Sequence, residues 1–384
     1  MSYTIGKQSV SITSTGKRRC ACSGSTASPS ARCTMPQVAC RGGAASSSSA
    51  TSMRLCLDTF TLLGHPISQH SFRHANAVRR GRHAVMTHAF FETNGLFSPK
   101  STAPKPPYNV VITGSTKGIG RALAEEFLRA GDQVVICSRS EERVKDAVAE
   151  LAAAYGKDRV KGVAADVARP GQARVLADFA AEQLGSVDLW INNAGTNGYR
   201  YGPMADSTDE ELQQIVSTNV LGVMLCCKEA IRVMRTQGSH GHIFNMDGAG
   251  ADGNATPRFA AYGATKRSLS QLGKSLSAEL GILGIRNVAI HNLSPGMVTT
   301  ELLMTGANTP TAKFFINCLA EPAADVAAYL VPRIRAVPQS SVNPLTGTLS
   351  ATYIRFLTQS KALKQIGARL LTGARKGRYV PEDA

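Results

Sequence analysis

The stretch from residue 108 to residue 130 admits few folds. Residues 108–113 are an apolar, β-branched run suited to a strand buried on both faces. The turn Gly114-Ser115-Thr116-Lys117-Gly118-Ile119-Gly120 comes at once, and residues 121–130 then carry helical periodicity that ends at Gly131. A strand, a glycine turn and a helix in that order let the backbone approach a pyrophosphate lying on the helix N-terminus. The spacing, Gly-x-x-x-Gly-x-Gly, differs from the commoner Gly-x-Gly-x-x-Gly. Every residue of the turn, from Gly114 to Gly120, is a candidate nucleotide contact.

Beyond residue 131 the chain alternates strand and helix, the pattern of a sheet of parallel strands covered by helices. A strand at 133–137 runs into Ser138 and Arg139, where an acid would select NAD by binding the ribose 2′-hydroxyl. None is present. Arg139 and Lys117 instead offer cations for a 2′-phosphate, which points to NADPH. A helix at 141–155 and a strand at 160–164 lead to Asp166 and Val167, candidates for the adenine end. A helix at 172–184 and a strand at 188–191 lead to Asn192-Asn193-Ala194-Gly195, small residues at a strand's C-terminal end, where open α/β sheets bind ligands. Farther on, Tyr262 and Lys266 are four positions apart and share one face of a helix. An ammonium beside a phenol favours its anion, so the expectation is a Tyr262 more acidic than a free tyrosine and able to act as proton donor.

Taken in order, the glycine turn, Asn192-Asn-Ala-Gly195, Asn219 and Tyr262-x-x-x-Lys266 resemble the short-chain dehydrogenase/reductase family, over roughly residues 108–335. The resemblance implies a single Rossmann-type α/β domain, a doubly wound, mostly parallel sheet of seven strands with helices on both faces, placed at 101–345 with a C-terminal extension at 346–384. It implies three catalytic residues: Tyr262 as proton donor, Lys266 holding the ribose, and Asn219, in a long helix, holding a water of the proton relay. It adds Asn193, Ala194, Gly195 and the loop Ser294-Pro295-Gly296-Met297-Val298-Thr299-Thr300 to the cofactor site. There Pro295, Gly296, the Val298 backbone and the Thr300 hydroxyl meet the nicotinamide carboxamide.

One position departs from the family pattern. A serine that bonds the substrate carbonyl is expected about fourteen residues before the tyrosine; here the chain reads Asn245-Met246-Asp247-Gly248. Loss of such a donor costs on the order of a hundredfold in rate. A degenerate reductase, another donor such as a protonated Asp247 or a backbone N–H, and a specialised subfamily are the three explanations. The last is favoured by a closer resemblance. Phe244-Asn-Met-Asp-Gly-Ala-Gly250, Arg258-Phe-Ala-Ala-Tyr262, His291-Asn-Leu-Ser-Pro-Gly296 and Ala312-Lys-Phe-Phe-Ile-Asn317 are similar to plastid chlorophyll(ide) b reductases, of the type without N-terminal membrane spans. The same resemblance takes in the extension, for which no catalytic role is assigned. It implies NADPH-dependent reduction of the 7-formyl group of chlorophyll b or chlorophyllide b at the stromal side of the thylakoid membrane. The implied partners are a membrane-spanning reductase paralogue and the light-harvesting complex. Another plastid carbonyl reductase, such as a ketoacyl reductase, and a non-catalytic NADPH-binding scaffold remain as alternatives. Met297, Leu302, Leu303, Met304, Phe314, Phe315, Ile316 and Leu319 are the expected lid for an apolar macrocycle, and Trp190 is expected in the core.

Composition bears on the plastid reading. Residues 1–100 hold twelve Lys or Arg against two acids, so they carry +10 of the net +16. A basic, acid-poor, Ser- and Ala-rich N-terminus is expected to be an organelle transit peptide, with a permanently disordered basic tail as the alternative. With that segment set aside the charge falls to +6, and no nucleic-acid partner is inferred from it. No uninterrupted apolar run reaches the length of a membrane span. Four cysteines lie beyond residue 100, none spaced as Cys-x-x-Cys, and no residues are assigned to a metal.

Overall fold

The computed structural model describes residues 102–382; the expected transit peptide lies outside the described residues. Seven strands form one sheet: β1 (Asn109–Thr113), β2 (Gln133–Ser138), β3 (Val160–Ala164), β4 (Leu189–Asn192), β5 (Gly241–Met246), β6 (Val288–Ser294) and β7 (Tyr353–Arg355). Their order is β3-β2-β1-β4-β5-β6-β7 and every pairing is parallel. The helices are α1 (Gly118–Arg129), α2 (Glu141–Tyr155), α3 (Gln172–Leu184), α4 (Asp209–Val216), α5 (Gly222–Met234), α6 (Ala260–Ile282), α7 (Glu301–Met304), α8 (Pro310–Leu319), α9 (Ala323–Ser340) and α10 (Gln359–Thr372).

Two-sided burial explains the apolar strand sequences. On β1, Val110 and Ile112 enter one core layer with Leu123 and Phe127 of α1 and Leu330 and Ile334 of α9. Val111 points to the opposite face and packs with Trp190, Leu176 of α3 and Cys226 of α5. Local signals set the helix starts. Ser140 caps α2 by accepting from the Arg143 N–H, and Thr208 and Glu211 form a capping box at α4.

The strand order reverses between β1 and β4, the switch point at which open α/β sheets bind ligands. The glycine turn and Asn193-Ala194-Gly195 meet there. Gly114 has φ +63°, and a Cβ on it would fall 2.9 Å from the Ala194 Cα, so both its conformation and its surroundings require glycine.

Three features differ from the sequence expectations. Helix α1 begins at Gly118, so the last glycines of the turn form its first turn. The helix expected around Asn219 is interrupted by a π-turn, Ser217–Leu221, between α4 and α5. Residues 209–234 are long enough to span a membrane and contain an 18-residue window of mean hydropathy 1.2, and they pack on α3 and α6. Lastly, β7 lies beyond residue 345, so the segment expected to be an extension completes the sheet.

Candidate active site

The cofactor end is built around the switch point. The Ser115 hydroxyl donates to the Ile112 carbonyl and accepts from the Cys137 N–H, which ties the turn to β2. Asn193 donates from Nδ2 to the carbonyls of Thr113 and Gly114, at 2.9 and 3.0 Å. Gly120 is required by this contact: a Cβ there would fall 2.4 Å from the Asn193 Nδ2. Thr116 and Ile119 are half-buried and Gly118 is exposed. The N-terminus of α1 has no side-chain cap and no acid in its first turn, and the Asn193 Oδ1 is buried without a partner among the described residues. An anionic nucleotide fits both features, since the helix end offers free N–H groups and positive potential.

The remaining residues expected at the nucleotide separate into free and engaged groups. Arg139 is exposed and forms no ion pair among the described residues, while the Ser138 hydroxyl donates to the Ser140 carbonyl. Lys117, the second expected 2′-phosphate cation, is instead paired with Glu301 at the start of α7. Asp166 accepts from the Ala168 N–H and faces Arg169, and Val167 is buried against Gly222. The loop after β6 reaches over the turn. Thr300 puts its methyl 3.4 Å from where a Gly118 Cβ would stand; Pro295 is buried, Gly296 has φ +70°, and Val298 bridges to Glu321.

Helix α6 supplies the reactive pair from its first two turns. The Lys266 amine donates to the Met246 carbonyl at 2.9 Å and stands 5.6 Å from the centre of the Tyr262 ring. A Cβ on Gly195 would be 3.5 Å from that amine and a tighter 3.3 Å from the Asn219 Oδ1. Asn219 is fully buried. It accepts from the Thr196 N–H at 2.8 Å and spends both amide hydrogens on the Thr196 carbonyl and the Thr265 hydroxyl, pinning the π-turn to the loop after β4. The water relay assigned to Asn219 therefore finds both of its side-chain donors in use.

The electrostatics reverse one expectation. Burial, and then the Asp247 carboxylate, push the Tyr262 phenol above its ordinary value instead of below it. Burial lowers Lys266 to about 8, with Asp247 acting in the opposite direction. In a dry pocket desolvation of the phenolate outweighs attraction by a neighbouring amine.

Where the family pattern has serine, the space is already filled. A Cβ on Gly248 would stand 2.4 Å from the Tyr262 hydroxyl. Asp247 accepts a hydrogen bond from the Tyr353 hydroxyl on β7, a residue with no signal in the sequence to connect it to the site. Of the expected lid, Ile316 and Leu319 belong to the core, Phe315 is exposed, and the other five are half-buried. A cleft beside Tyr262 is lined by Asn197, Met204, Ile215, Arg258 and Phe259.

A dinucleotide-binding switch point joined to a Tyr–Lys pair defines a nicotinamide-dependent oxidoreductase. Residues 108–310 match the short chain dehydrogenase family, and the chain belongs to it. The family binds NAD or NADP nucleotides. Among curated relatives, "Chlorophyll(ide) b reductase NOL, chloroplastic" of Oryza sativa is 54% identical over 307 residues, covering 80% of this chain and 88% of that protein. "Probable chlorophyll(ide) b reductase NYC1, chloroplastic" of the same species is 43% identical and covers 72% of this chain, which spans 54% of its length. Among solved structures, a short chain dehydrogenase from Burkholderia cenocepacia in complex with NADP aligns with TM-score 0.52 and 26% identity, covering 65% of this chain and 96% of that one. One from Burkholderia phymatum in complex with NAD aligns with TM-score 0.54 and 26% identity over 68% and 92%.

Proposed function

We propose that this chain reduces the 7-formyl group of chlorophyll b or chlorophyllide b to the 7-hydroxymethyl group with NADPH, the first step of chlorophyll b degradation. The observation that carries the reading is the 54% identity to a chlorophyll(ide) b reductase over 88% of that relative's length.

The bound nicotinamide supplies the hydride. The protein's part is to hold the reactants and handle the proton. The α1 N-terminus and the turn from Gly114 to Gly120 bind the pyrophosphate. Arg139 takes the 2′-phosphate, and Ser138, Asp166 and Val167 lie toward the adenine. Asn193, Ala194 and Gly195 line the floor, and Pro295, Gly296, Val298 and Thr300 hold the carboxamide. Lys266 binds ribose hydroxyls with the amine that now meets the Met246 carbonyl. Tyr262 protonates the new alkoxide; a phenol raised by burial stays protonated until transfer, as a donor must. The pigment occupies the cleft beside Tyr262, against Phe259 and Met204.

The protein acts in the chloroplast, peripherally at the stromal side of the thylakoid membrane, beside a membrane-spanning reductase paralogue and the light-harvesting complex. The "chloroplastic" in the relatives' names supports the compartment. The test is incubation of the purified chain with NADPH and chlorophyllide b or chlorophyll b, with the pigments resolved by chromatography. A 7-hydroxymethyl product that disappears in Tyr262→Phe, with NADPH binding retained, is expected. NADPH binding without conversion, even with an inactive membrane paralogue supplied, would replace this reading with the scaffold.

A further inference from the structure

Strand β7 is three residues long and sits at the sheet edge, with Ile354 inward and Tyr353 and Arg355 exposed. A short edge strand adds little stability to a seven-stranded sheet. Its register on β6 pairs Tyr353 with Asn292, and from there the Tyr353 hydroxyl crosses to donate to Asp247 Oδ2, 106 residues earlier in the chain. Asp247 is 5% exposed, and its Oδ1 has no hydrogen-bond partner among the described residues. The groups facing it are Tyr353 and Arg355 from β7, Ser294 from β6, and Lys266 and Tyr262 from α6. The Arg355 guanidinium lies 3.9 Å from the centre of the Tyr353 ring and braces it.

The neighbouring residue explains why the carboxylate is here. Gly248 leaves no room for a side chain against the Tyr262 hydroxyl. A serine cannot stand at 248 with Tyr262 in this place, and the polar group of this segment is displaced one residue back, onto Asp247.

Resting on the reading of Tyr262 as the proton donor, we propose that Asp247 and Tyr353 form a positioning pair that keeps Tyr262 in its acid form, so that the C-terminal strand is part of the reductase site. A buried carboxylate beside a phenol opposes formation of phenolate. Burial raises the Asp247 carboxyl above its ordinary value, and the Tyr353 O–H bond, with Ser294, Lys266 and Arg355, pulls against that rise and favours the charged form. Reduction requires a protonated Tyr262 at the moment of transfer; the reverse oxidation requires the phenolate. The pair therefore favours Tyr262 as acid over Tyr262 as base, and it does so without touching substrate. Asp247 acts on Tyr262 more than any other charge does, which supports this.

The test reads Tyr262 itself. Tyrosinate absorbance is titrated in the complex with NADP, and the Tyr262→Phe titration is subtracted to isolate one phenol. Asp247→Asn keeps the shape and removes the charge. It is expected to move the Tyr262 titration to lower pH, by about tenfold or more in ionisation constant. Asp247→Ser provides the same reading should the asparagine variant not fold, and nucleotide binding confirms the fold of each. A Tyr262 titration unchanged by loss of the carboxylate would overturn the proposal. Tyr353→Phe is expected to lower kcat several-fold with the NADPH Kd unchanged; wild-type kcat at every pH would remove Tyr353 from the pair. Pigment turnover by the wild-type chain tests the reductase reading separately, since the titration needs no turnover.

Discussion

Lys117 and Glu301 are joined by an ion pair of 2.5 Å across 184 residues of chain, linking the glycine turn to the first turn of α7. The pair ties the glycine turn to the helix that follows the loop after β6. It also occupies one of the two cations expected for a 2′-phosphate. Both side chains are more than half exposed, so the pair itself contributes little.

On the proposed reading, cofactor selectivity then rests mainly on Arg139. Arg139→Asp is expected to weaken NADPH binding by about tenfold or more and to leave NADH little changed, by loss of a charge-assisted contact. Glu301→Gln frees Lys117 and is expected to tighten NADPH by up to about fivefold, as an exposed pair is worth at most ~1 kcal/mol. Dissociation constants for both nucleotides check the two outcomes; an unchanged NADPH to NADH ratio in Arg139→Asp would take that residue out of the site.

Restoring the family's serine should harm this protein. Gly248→Ser places a Cβ 2.4 Å from the Tyr262 hydroxyl, and the ring must swing away. The expected result is a fold of nearly wild-type melting temperature with kcat lowered by about tenfold or more, or ~1.4 kcal/mol in the barrier. A gain in kcat would mean that the Tyr262 position seen here is not the reactive one.

Two core imidazoles predict acid sensitivity. The Thr352 N–H donates to His291 Nδ1, so His291 carries its proton on Nε2 and donates it to His242 Nδ1 at 3.0 Å. Burial holds His291 down to about 3 and His242 well below its ordinary value. Groups with folded values below the unfolded 6.5 contribute fully above that pH, and the contribution is lost as pH falls below it, by about 2 kcal/mol for His291 at pH 5. Asp188, raised by burial to about 6, acts in the opposite sense between its unfolded value and 6. Thermal melts of wild type and His291→Asn from pH 7 to 5 therefore isolate the histidine share, and the variant is expected to lose less stability on acidification.

The C-terminal tail is clamped to α8 by one buried amide. Asn317 accepts from the N–H groups of Tyr379 and Val380 and donates to the Val380 carbonyl and to Glu382, all within 2.9 Å. Asn317→Leu deletes four bonds and leaves the tail's backbone groups unsatisfied, at ~1–3 kcal/mol each if they stay buried. The tail is expected to detach, with trypsin cutting after Lys376 and Arg378 many times faster than in wild type. Equal cleavage rates would show that Arg369, Arg375 and Tyr379 suffice to hold it.

Local chemistry made the cofactor half of this protein legible. The β-branched run, the glycines from Gly114 to Gly120 and the Tyr262–Lys266 spacing each depend on neighbours within a few residues, so sequence alone determined the strand, the turn, the shared helix face and with them the fold class. Helix α2, β3 and α3 fall on the residues expected for them for the same reason. The tertiary structure decided what depends on contact across the chain. Lys117 is legible as a cation, but its engagement by Glu301 is not. Asp247 is visible as a departure from serine, yet its partner Tyr353 lies 106 residues away and carries no local signal. The direction in which Tyr262 is shifted depends on how much water the fold removes from it, because burial, and then the Asp247 charge, raise it. Burial and long-range charge exist only once the chain has folded, which is why the motif singles out Tyr262 and the fold decides the direction of its shift.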